Sequence, residues 1–298
     1  MNEQKSRQHS LPRFYLKGFA DPAKPAALWE YRQELPYKPL GKWADRNPRR
    51  ISLTSASVVP DQYSYRKPDG TLDSATFEDA LQRQEHRVDN VIRDIRDHQR
   101  FSHELKRVLA PYLSMMMKRV EGEKRHALRH LPGILARNRS AVEADTSVSP
   151  EEKAARLAEL AAMEDDPQEL FLHAMLVPSN QLDPFLASRT WHLLWSNDEA
   201  VFVTGDQPVF IFTEQGHPGE LSFPFSSRSA LLVTSGRFEE GWFRIGADIV
   251  DRINRRTARS SERLYASTDR LRIDRTGEAR LPGELGIFYQ YFGRFYER

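Results

Sequence analysis

The sequence lacks cysteine, so none of its 298 residues carries a thiol. Disulfides, cysteine-ligated zinc, iron–sulfur clusters and thiol nucleophiles are therefore excluded, and a reducing compartment is indicated. Long apolar runs are also missing, since no segment approaches the roughly 18 consecutive apolar residues of a membrane-spanning helix. The first residues, Met1–Lys5, do not resemble the apolar part of a signal peptide. We therefore expect a cytoplasmic protein that does not use a membrane as a partner.

Three common catalytic motifs are absent as well. There is no Gly-Lys-Ser/Thr phosphate loop, no Gly-x-Gly-x-x-Gly turn and no Gly-x-Ser-x-Gly elbow, which argues against P-loop hydrolases, Rossmann dehydrogenases and α/β-hydrolases. A net charge of +2 is close to neutral, so the overall charge argues neither for nor against nucleic acid as a partner.

The order of sequence patterns predicts the fold class. Hydrophobic residues make up 39% of the chain, enough for a substantial core, and we expect residues 1–298 to form a single domain. Extended, loop-rich segments come first, residues 74–196 have mostly helical periodicity, and residues 200–275 have mostly strand periodicity. This order favours an α+β fold, with a largely antiparallel sheet covered on one face by the central helices.

Individual elements follow from periodicity and from residues typical of turns and helix ends. Ser74 is predicted to cap the first long helix, and Pro111 to kink or begin the second. Residues 138–149 are the best candidate for a mobile connection. Further helices are predicted to start at Ser149-Pro150 and Asp166-Pro167 and to cover 184–194 and 248–263. Strands are predicted at 28–32, 50–53, 201–204, 208–212, 221–225, 230–234, 264–267 and 271–274, with a turn at 68–70.

Three segments together resemble a known family. The first is Gln8–Phe19, with a Gln-His, Pro, Tyr-Leu, Phe pattern, and the second is Phe202–Val209, similar to Thr-Ser-Asp-x-Pro with Gly205 in place of the serine. The third runs from Phe223 through Asn254 to Ser267. In order and spacing they resemble the bacterial family named domain of unknown function 4238. The resemblance implies one domain architecture and no particular reaction, with a loose association with mobile elements and defence.

Two residues of these motifs are candidates for catalysis. His9 precedes a proline-aromatic stretch and is a candidate general base or metal ligand. Its alternative role is to hold the N-terminal segment by hydrogen bonds. Asp206 lies in a turn between two apolar strands, where a carboxylate can face a cleft. Alternatively, it accepts hydrogen bonds from the main chain of its own turn.

Glu85 is the third catalytic candidate, because it shares a helix face with Glu78, seven residues earlier. Two such carboxylates bind Mg²⁺ or Mn²⁺ if a third acid converges on them, and Asp206 is the candidate for that third acid. The alternative is that both are surface charges on an amphipathic helix. His126 and His130 have the spacing of zinc ligands, but the basic residues around them argue against a metal there.

Arginines recur in the predicted helix 248–263, and their forked guanidinium groups match phosphate geometry. Arg252, Arg255, Arg256 and Arg259 are therefore candidate phosphate-binding residues. The alternative is a solvated face with local ion pairs to Asp251 and Glu262. Gln8, Tyr15 and Asn254 are expected to support the site structurally.

Two charged stretches and the aromatic end leave further alternatives open. The basic residues between 118 and 139 either pair with the acidic stretch 143–169 or meet nucleic acid. The aromatic residues of 286–298 either pack onto the body of the protein or stack on bases.

Two functional hypotheses follow. The first is a protein that binds nucleic acid or a nucleotide, or that docks a partner protein. The second is a metal-dependent phosphodiester hydrolase acting in defence against mobile elements, in which Asp206 and Glu85 hold the metal and His9 is the general base. The second requires those three side chains to meet in one pocket.

Overall fold

The computed structural model describes residues 7–32, 48–67, 69–98, 103–177, 179, 182–196, 199–214, 217–235 and 239–271. The predicted strand 271–274, apart from its first residue, and the aromatic segment 286–298 lie outside these residues. Eight α-helices and a short 3-10 helix at Lys17–Phe19 occur in the described part. The α-helices are α1 (Arg13–Leu16), α2 (Thr76–His98), α3 (His103–Arg119), α4 (Glu121–Ala144), α5 (Pro150–Asp165), α6 (Pro167–Leu176), α7 (Leu182–Ala187) and α8 (Ala247–Ser260).

Thirteen strands lie in the described part of the chain and form four sheets rather than one. They are β1 (Arg7–His9), β2 (Ala27–Arg32), β3 (Arg49–Ser52), β4 (Val58–Pro60), β5 (Tyr65–Arg66), β6 (Leu72–Asp73), β7 (Thr190–Ser196), β8 (Thr204–Gly205), β9 (Phe210–Glu214), β10 (His217–Pro224), β11 (Ser229–Thr234), β12 (Gly241–Ile245) and β13 (Arg263–Ala266). The five-stranded sheet has the order β12-β7-β11-β10-β9, and the four-stranded sheet has the order β3-β2-β13-β8. Strands β1 and β4 form a third sheet, and β5 and β6 a fourth.

All strand pairs are antiparallel except β12 with β7. The predicted α+β class is therefore confirmed. None of the described helices is long and apolar enough to cross a bilayer.

The central helices begin where local chemistry supplies a cap. The Ser149 hydroxyl accepts a hydrogen bond from the N–H of Glu152, and the Asp166 carboxylate accepts one from the N–H of Glu169. Both predicted starts are confirmed, because an N-cap side chain satisfies N–H groups that have no partner within the helix. For α2, the predicted N-cap residue was wrong by one position. Asp73, rather than Ser74, accepts hydrogen bonds from the first N–H groups.

Other predictions of elements differ from the structure. The helix predicted over 184–194 ends at Ala187, and Thr190–Ser196 forms β7, which pairs with strands on both sides. A short apolar run that is buried on both faces looks the same to periodicity in a helix and in a strand. Residues 138–144, expected to begin a mobile connection, continue α4. Pro111 lies inside α3, so the alternative of a helix start is excluded, and the alternative of a kink stays a prediction.

One hydrophobic cluster joins the helices to the five-stranded sheet. It contains Leu113 of α3, Leu194 of β7, Phe223 of β10 and Ile253 of α8, all buried. A smaller cluster contains Leu264 and lies on the four-stranded sheet. The larger core reaches the N-terminal motif and so fixes the residues around His9.

Candidate functional site

The N-terminal motif and α2 enclose a cleft of about 340 Å³. Two of the three predicted catalytic residues, His9 and Glu85, line it. Glu78 lines it too, so the predicted shared face of α2 is the face toward the cleft. The full set of lining residues is His9, Pro12, Arg13, Phe14, Glu78, Gln82, Glu85, His86, Asp89 and Arg119.

Gln8 fixes the strand that carries His9. Its amide nitrogen donates to the carbonyl of Ser74 over 3.0 Å, and its amide oxygen accepts from the N–H of Tyr63 over 2.6 Å. Strand β1 also pairs with β4 along its three residues. The main chain at His9 is therefore held from both sides, because a buried amide with both ends bonded has one orientation.

The imidazole of His9 is held in one tautomer. Its Nδ1 lies 3.0 Å from the carbonyl oxygen of Ala56. Because a carbonyl only accepts, Nδ1 carries the hydrogen and Nε2 keeps a lone pair when the ring is neutral. Burial lowers the pKa of His9, and the positive charge of Arg13 acts in the same direction. The ring is therefore a neutral base at neutral pH.

Arg119 joins the walls of the cleft. Its guanidinium is fully buried, and its Nη1 lies 2.7 Å from a carboxylate oxygen of Glu85. The same group donates to the carbonyl of His9 over 3.0 Å and to the hydroxyl of Tyr63 over 3.1 Å. A buried guanidinium is tolerated only with a counter-charge and acceptors of this kind. The negative charge of Glu85 is thereby neutralised inside the protein.

Two cleft residues keep polar groups without a protein partner. Oε2 of Glu78 is buried and has no hydrogen-bond donor among the described residues, although the carboxyl also bonds the side chain of Gln82. Burial raises the pKa of this carboxyl. Arg13 is exposed at the rim and forms no ion pair with a described residue. A buried acceptor without a partner costs about 1–3 kcal/mol, so a donor from a ligand would be stabilising there.

Asp206, the third predicted catalytic residue, does not line this cleft. Its N–H donates to the carbonyl of Arg263 over 3.0 Å, and its carboxylate accepts from the N–H of Glu262 over 3.0 Å. Burial raises the pKa of Asp206 to about 6. The expected meeting of His9, Glu85 and Asp206 is thus corrected, because the turn after β8 uses the carboxylate to hold β13.

No three His, Asp or Glu side chains converge as metal ligands anywhere in the described residues. The expected Mg²⁺ or Mn²⁺ site therefore has no ligand set there.

Gly205, next to Asp206, packs directly on Ser261: a Cβ at position 205 would overlap the hydroxyl of Ser261. With Ser261 in place, this chain has no room for a side chain at position 205, which explains why glycine stands where the family pattern has serine.

The arginines of α8 do not form one exposed face. Arg256 is buried, with its Nη1 2.8 Å from a carboxylate oxygen of Glu220 in β10. Its expected role in binding phosphate is therefore corrected, because a buried counter-charge draws this guanidinium into the core. Arg255 pairs with Asp251 over 2.7 Å, as the alternative of local ion pairs predicted. Arg252 is half-buried, and Arg259 is exposed.

Asn254 and Tyr15 hold main chain in place. The side chain of Asn254 donates to the carbonyl of Val201 over 2.8 Å and accepts from the N–H of Val203 over 2.9 Å. The segment before β8 is not paired with a described strand at these two residues, and the side chain of Asn254 supplies the hydrogen-bond partners for its main chain. The hydroxyl of Tyr15 lies 2.6 Å from that of Thr204 and donates to the carbonyl of Pro224 over 2.9 Å.

Residues of the basic stretch 118–139 mostly serve internal contacts. The ammonium of Lys118 donates to the carbonyl of Val177, and that of Lys124 to the carbonyl of Gln62. Burial lowers the pKa of Lys124 to about 8. Arg139 pairs with Glu164 of the acidic stretch over 2.7 Å, in agreement with the alternative that the two stretches pair with each other.

Sequence reasoning missed Arg119 and Arg13. A signal for Arg119 exists: it follows Tyr112 by seven residues and Met116 by three, on the apolar face of α3. A charged residue in that position is rarely buried without a partner, so it predicts a buried acid elsewhere. Arg13 has no comparable signal, because an exposed arginine near a helix start is common.

Comparison with known proteins gives one result. Residues 7–270 match the model of a family described as "Protein of unknown function (DUF4238)". No curated protein matches the chain, and no solved structure does.

Proposed function

The chain belongs to the DUF4238 family, whose description assigns no function. From the geometry of the cleft around His9, we propose that this cleft binds a nucleotide and that His9 accepts a proton from the bound ligand or from a water beside it. The observation that carries this is the presence, in one cleft, of a neutral imidazole, a guanidinium and a buried carboxyl oxygen, the last two without a partner among the described residues.

Each of these groups matches one part of a nucleotide. Arg13 offers a forked cation to a phosphate at the rim, where both partners keep contact with water. Glu78 offers an acceptor to the N–H groups on the edge of a base. Phe14, half-buried in the same wall, offers an aromatic face for stacking. An inorganic anion would use Arg13 alone, so the pair Arg13 and Glu78 favours a ligand with an anionic end and a donor end.

The paired charges support the same interpretation. Glu85 is neutralised by Arg119, and Asp89 lies 2.6 Å from Arg93. These acids therefore repel a phosphate less than their number suggests. The described residues offer no three-ligand metal set, so we do not propose the phosphodiester hydrolase that depends on a protein-bound metal.

Calorimetric titration with GTP, ATP, guanosine and tripolyphosphate tests the proposal. Runs with and without Mg²⁺ are needed because this ion is usually bound through substrate phosphates. We expect the nucleotides to bind more tightly than guanosine or tripolyphosphate, since only they have both ends. Arg13→Gln should weaken nucleotide binding about 10-fold, the effect of losing one charge-assisted hydrogen bond. Arg107→Gln, a charge removal at an exposed site outside the cleft, is the matched control.

Equal losses in Arg13→Gln and Arg107→Gln would contradict the proposal, as would no saturable binding at millimolar nucleotide. A single-stranded oligonucleotide in the same titration separates a nucleotide site from a nucleic-acid surface. His9→Gln addresses the chemistry: we expect it to leave nucleotide affinity within a few-fold and to remove any turnover of the bound nucleotide.

A further inference from the structure

A second cavity, of about 270 Å³, lies between α7 and the five-stranded sheet. Its walls differ from those of the His9 cleft because nearly all of them are apolar. The apolar side chains in the walls are Leu182, Phe185, Leu186, Ile211, Leu221 and Val233, and the cavity is also lined by Arg189, Gly219, Glu220, Thr234 and Ser235. A volume just below the range of about 300–1,000 Å³ typical of drug-sized ligands suits a smaller molecule.

One positive charge faces this apolar space without an acidic partner. Arg189, half-buried, lines the cavity, and its guanidinium lies 4.0 Å from the ring centroid of Phe185. It forms no ion pair with any residue in the part of the chain that the structure describes. Its main chain is fixed, since the ammonium of Lys106 donates to its carbonyl over 2.9 Å and also pairs with Glu240.

The acid that lines the same cavity is already neutralised. Glu220 is buried, and the buried guanidinium of Arg256 lies 2.8 Å from its carboxylate. Arg189 is therefore the charge that a ligand would meet. A planar guanidinium stacked on an aromatic ring is held ready to bond a carboxylate with two parallel N–H groups.

We propose that this cavity binds a small amphiphilic carboxylate, with its hydrocarbon part among the apolar side chains and its carboxylate on Arg189. The size of the cavity suits a chain of roughly eight carbons. Burial of that chain supplies most of the affinity, and Arg189 supplies the selectivity for an acid over an alcohol. The site is separate from the His9 cleft, since the two share no lining residue.

Calorimetric titration of the full chain with octanoate, 1-octanol and acetate tests this. We expect octanoate to bind at least 10-fold more tightly than 1-octanol, and acetate not to bind. Arg189→Gln should remove that preference, leaving 1-octanol affinity unchanged. Arg244→Gln removes an exposed charge on β12 of the same sheet and should leave the preference intact. Ile211→Phe, which fills space at a half-buried position, should weaken both eight-carbon ligands.

Equal binding of octanoate and 1-octanol to the natural chain would overturn the proposal. So would an octanoate preference that survives Arg189→Gln, or the absence of saturable octanoate binding at millimolar concentration. Circular dichroism of each variant checks that it is folded. If Ile211→Phe does not fold, Arg189→Gln, at a half-buried position, still decides the test.

Discussion

His9 and Asp206 both lie in the motifs that resemble the family pattern, and both are half-buried, yet their surroundings differ. Within the described part of the chain, the ring of His9 makes one hydrogen bond, to the carbonyl of Ala56, and it lines a cleft with other unsatisfied groups. The carboxylate of Asp206 accepts from the main chain of Glu262, beside a strand that it holds in place. Burial shifts the pKa of each toward its neutral form, downward for His9 and to about 6 for Asp206.

The comparison shows that a perturbed pKa identifies a buried group and not a functional one. Desolvation acts on any titratable side chain, whether or not it can reach a ligand. What separates the two residues is the hydrogen-bonding capacity that remains after folding. Among the described residues, Nε2 of His9 has no hydrogen-bond partner and lies beside other groups without one, whereas the carboxylate of Asp206 is bonded to the main chain of Glu262. The predictions below test this distinction, from the largest expected effect to the smallest.

Arg119→Met should destabilise the protein most, because it leaves the carboxylate of Glu85 and the carbonyl of His9 without their partner. Breaking a buried ion pair from one side costs about 3 to 5 kcal/mol. Urea denaturation measures the loss in the free energy of unfolding. Arg125→Gln is the matched control, since its pair with Glu262 is exposed and worth at most about 1 kcal/mol. Similar losses in the two variants would show that Arg119 does not organise the cleft.

Asn254→Ala should cost about 2 kcal/mol in the free energy of unfolding, because it removes two buried hydrogen bonds to the segment before Asp206. We expect nucleotide binding at the His9 cleft to be unchanged in the folded variant. If the folded variant lost nucleotide binding, the segment before Asp206 would be part of the same functional site as the His9 cleft. That result would contradict the distinction between the surroundings of His9 and those of Asp206.

Asp206→Asn should stabilise the protein at pH 8 by about 1 kcal/mol, since the amide keeps an acceptor oxygen and the substitution removes a half-buried, partly desolvated charge. The sign follows from linkage: a carboxyl whose pKa is raised from 3.8 to about 6 binds more protons when folded than when unfolded. Stability therefore falls as pH rises from about 4 to above 6. Urea denaturation at several pH values should show this fall in the natural chain and a flatter profile in Asp206→Asn. A destabilised variant at pH 8 would show that the charge is needed.

The smallest expected effect is the titration of His9 itself. Its NMR midpoint should lie below 6.5, because burial disfavours the imidazolium. The unfolded chain then binds more protons than the folded chain between the two pKa values. Stability should therefore rise with pH in that window and level off above about 6.5. An NMR midpoint above 6.5 would point to an acid, such as Glu78, as the stronger influence on the ring.

Local features could be predicted from the sequence, and contacts between distant segments could not. The helix starts at Ser149 and Asp166 were predictable because their caps act over three residues. The shared face of Glu78 and Glu85 followed from helical spacing alone. By contrast, the partner of Asp206 lies 56 residues further along the chain, and that of Arg119 lies 34 residues earlier.

Strand β7 shows a second limit of prediction from the sequence, namely the choice between helix and strand for a short segment. Its sequence Thr190–Ser196 is apolar and short, so that only its neighbours β11 and β12 decide that it is a strand. Helical spacing groups Arg256 with Arg252 and Arg259, because spacing alone cannot reveal its partner Glu220 on another element. In both cases tertiary contacts overrode a correct local pattern.

The contact between Gly205 and Ser261 has a consequence for other members of the family. A side chain at position 205 would overlap the Ser261 hydroxyl, so the space between the two positions holds only one side chain of the size of serine. Related chains with serine at position 205 should therefore have glycine at position 261, because a Cβ at position 205 would lie only 2.6 Å from the Cβ of Ser261. The residues at the two positions should then change together through evolution. An alignment of such chains would show this as a covarying pair bridging β8 and the start of β13.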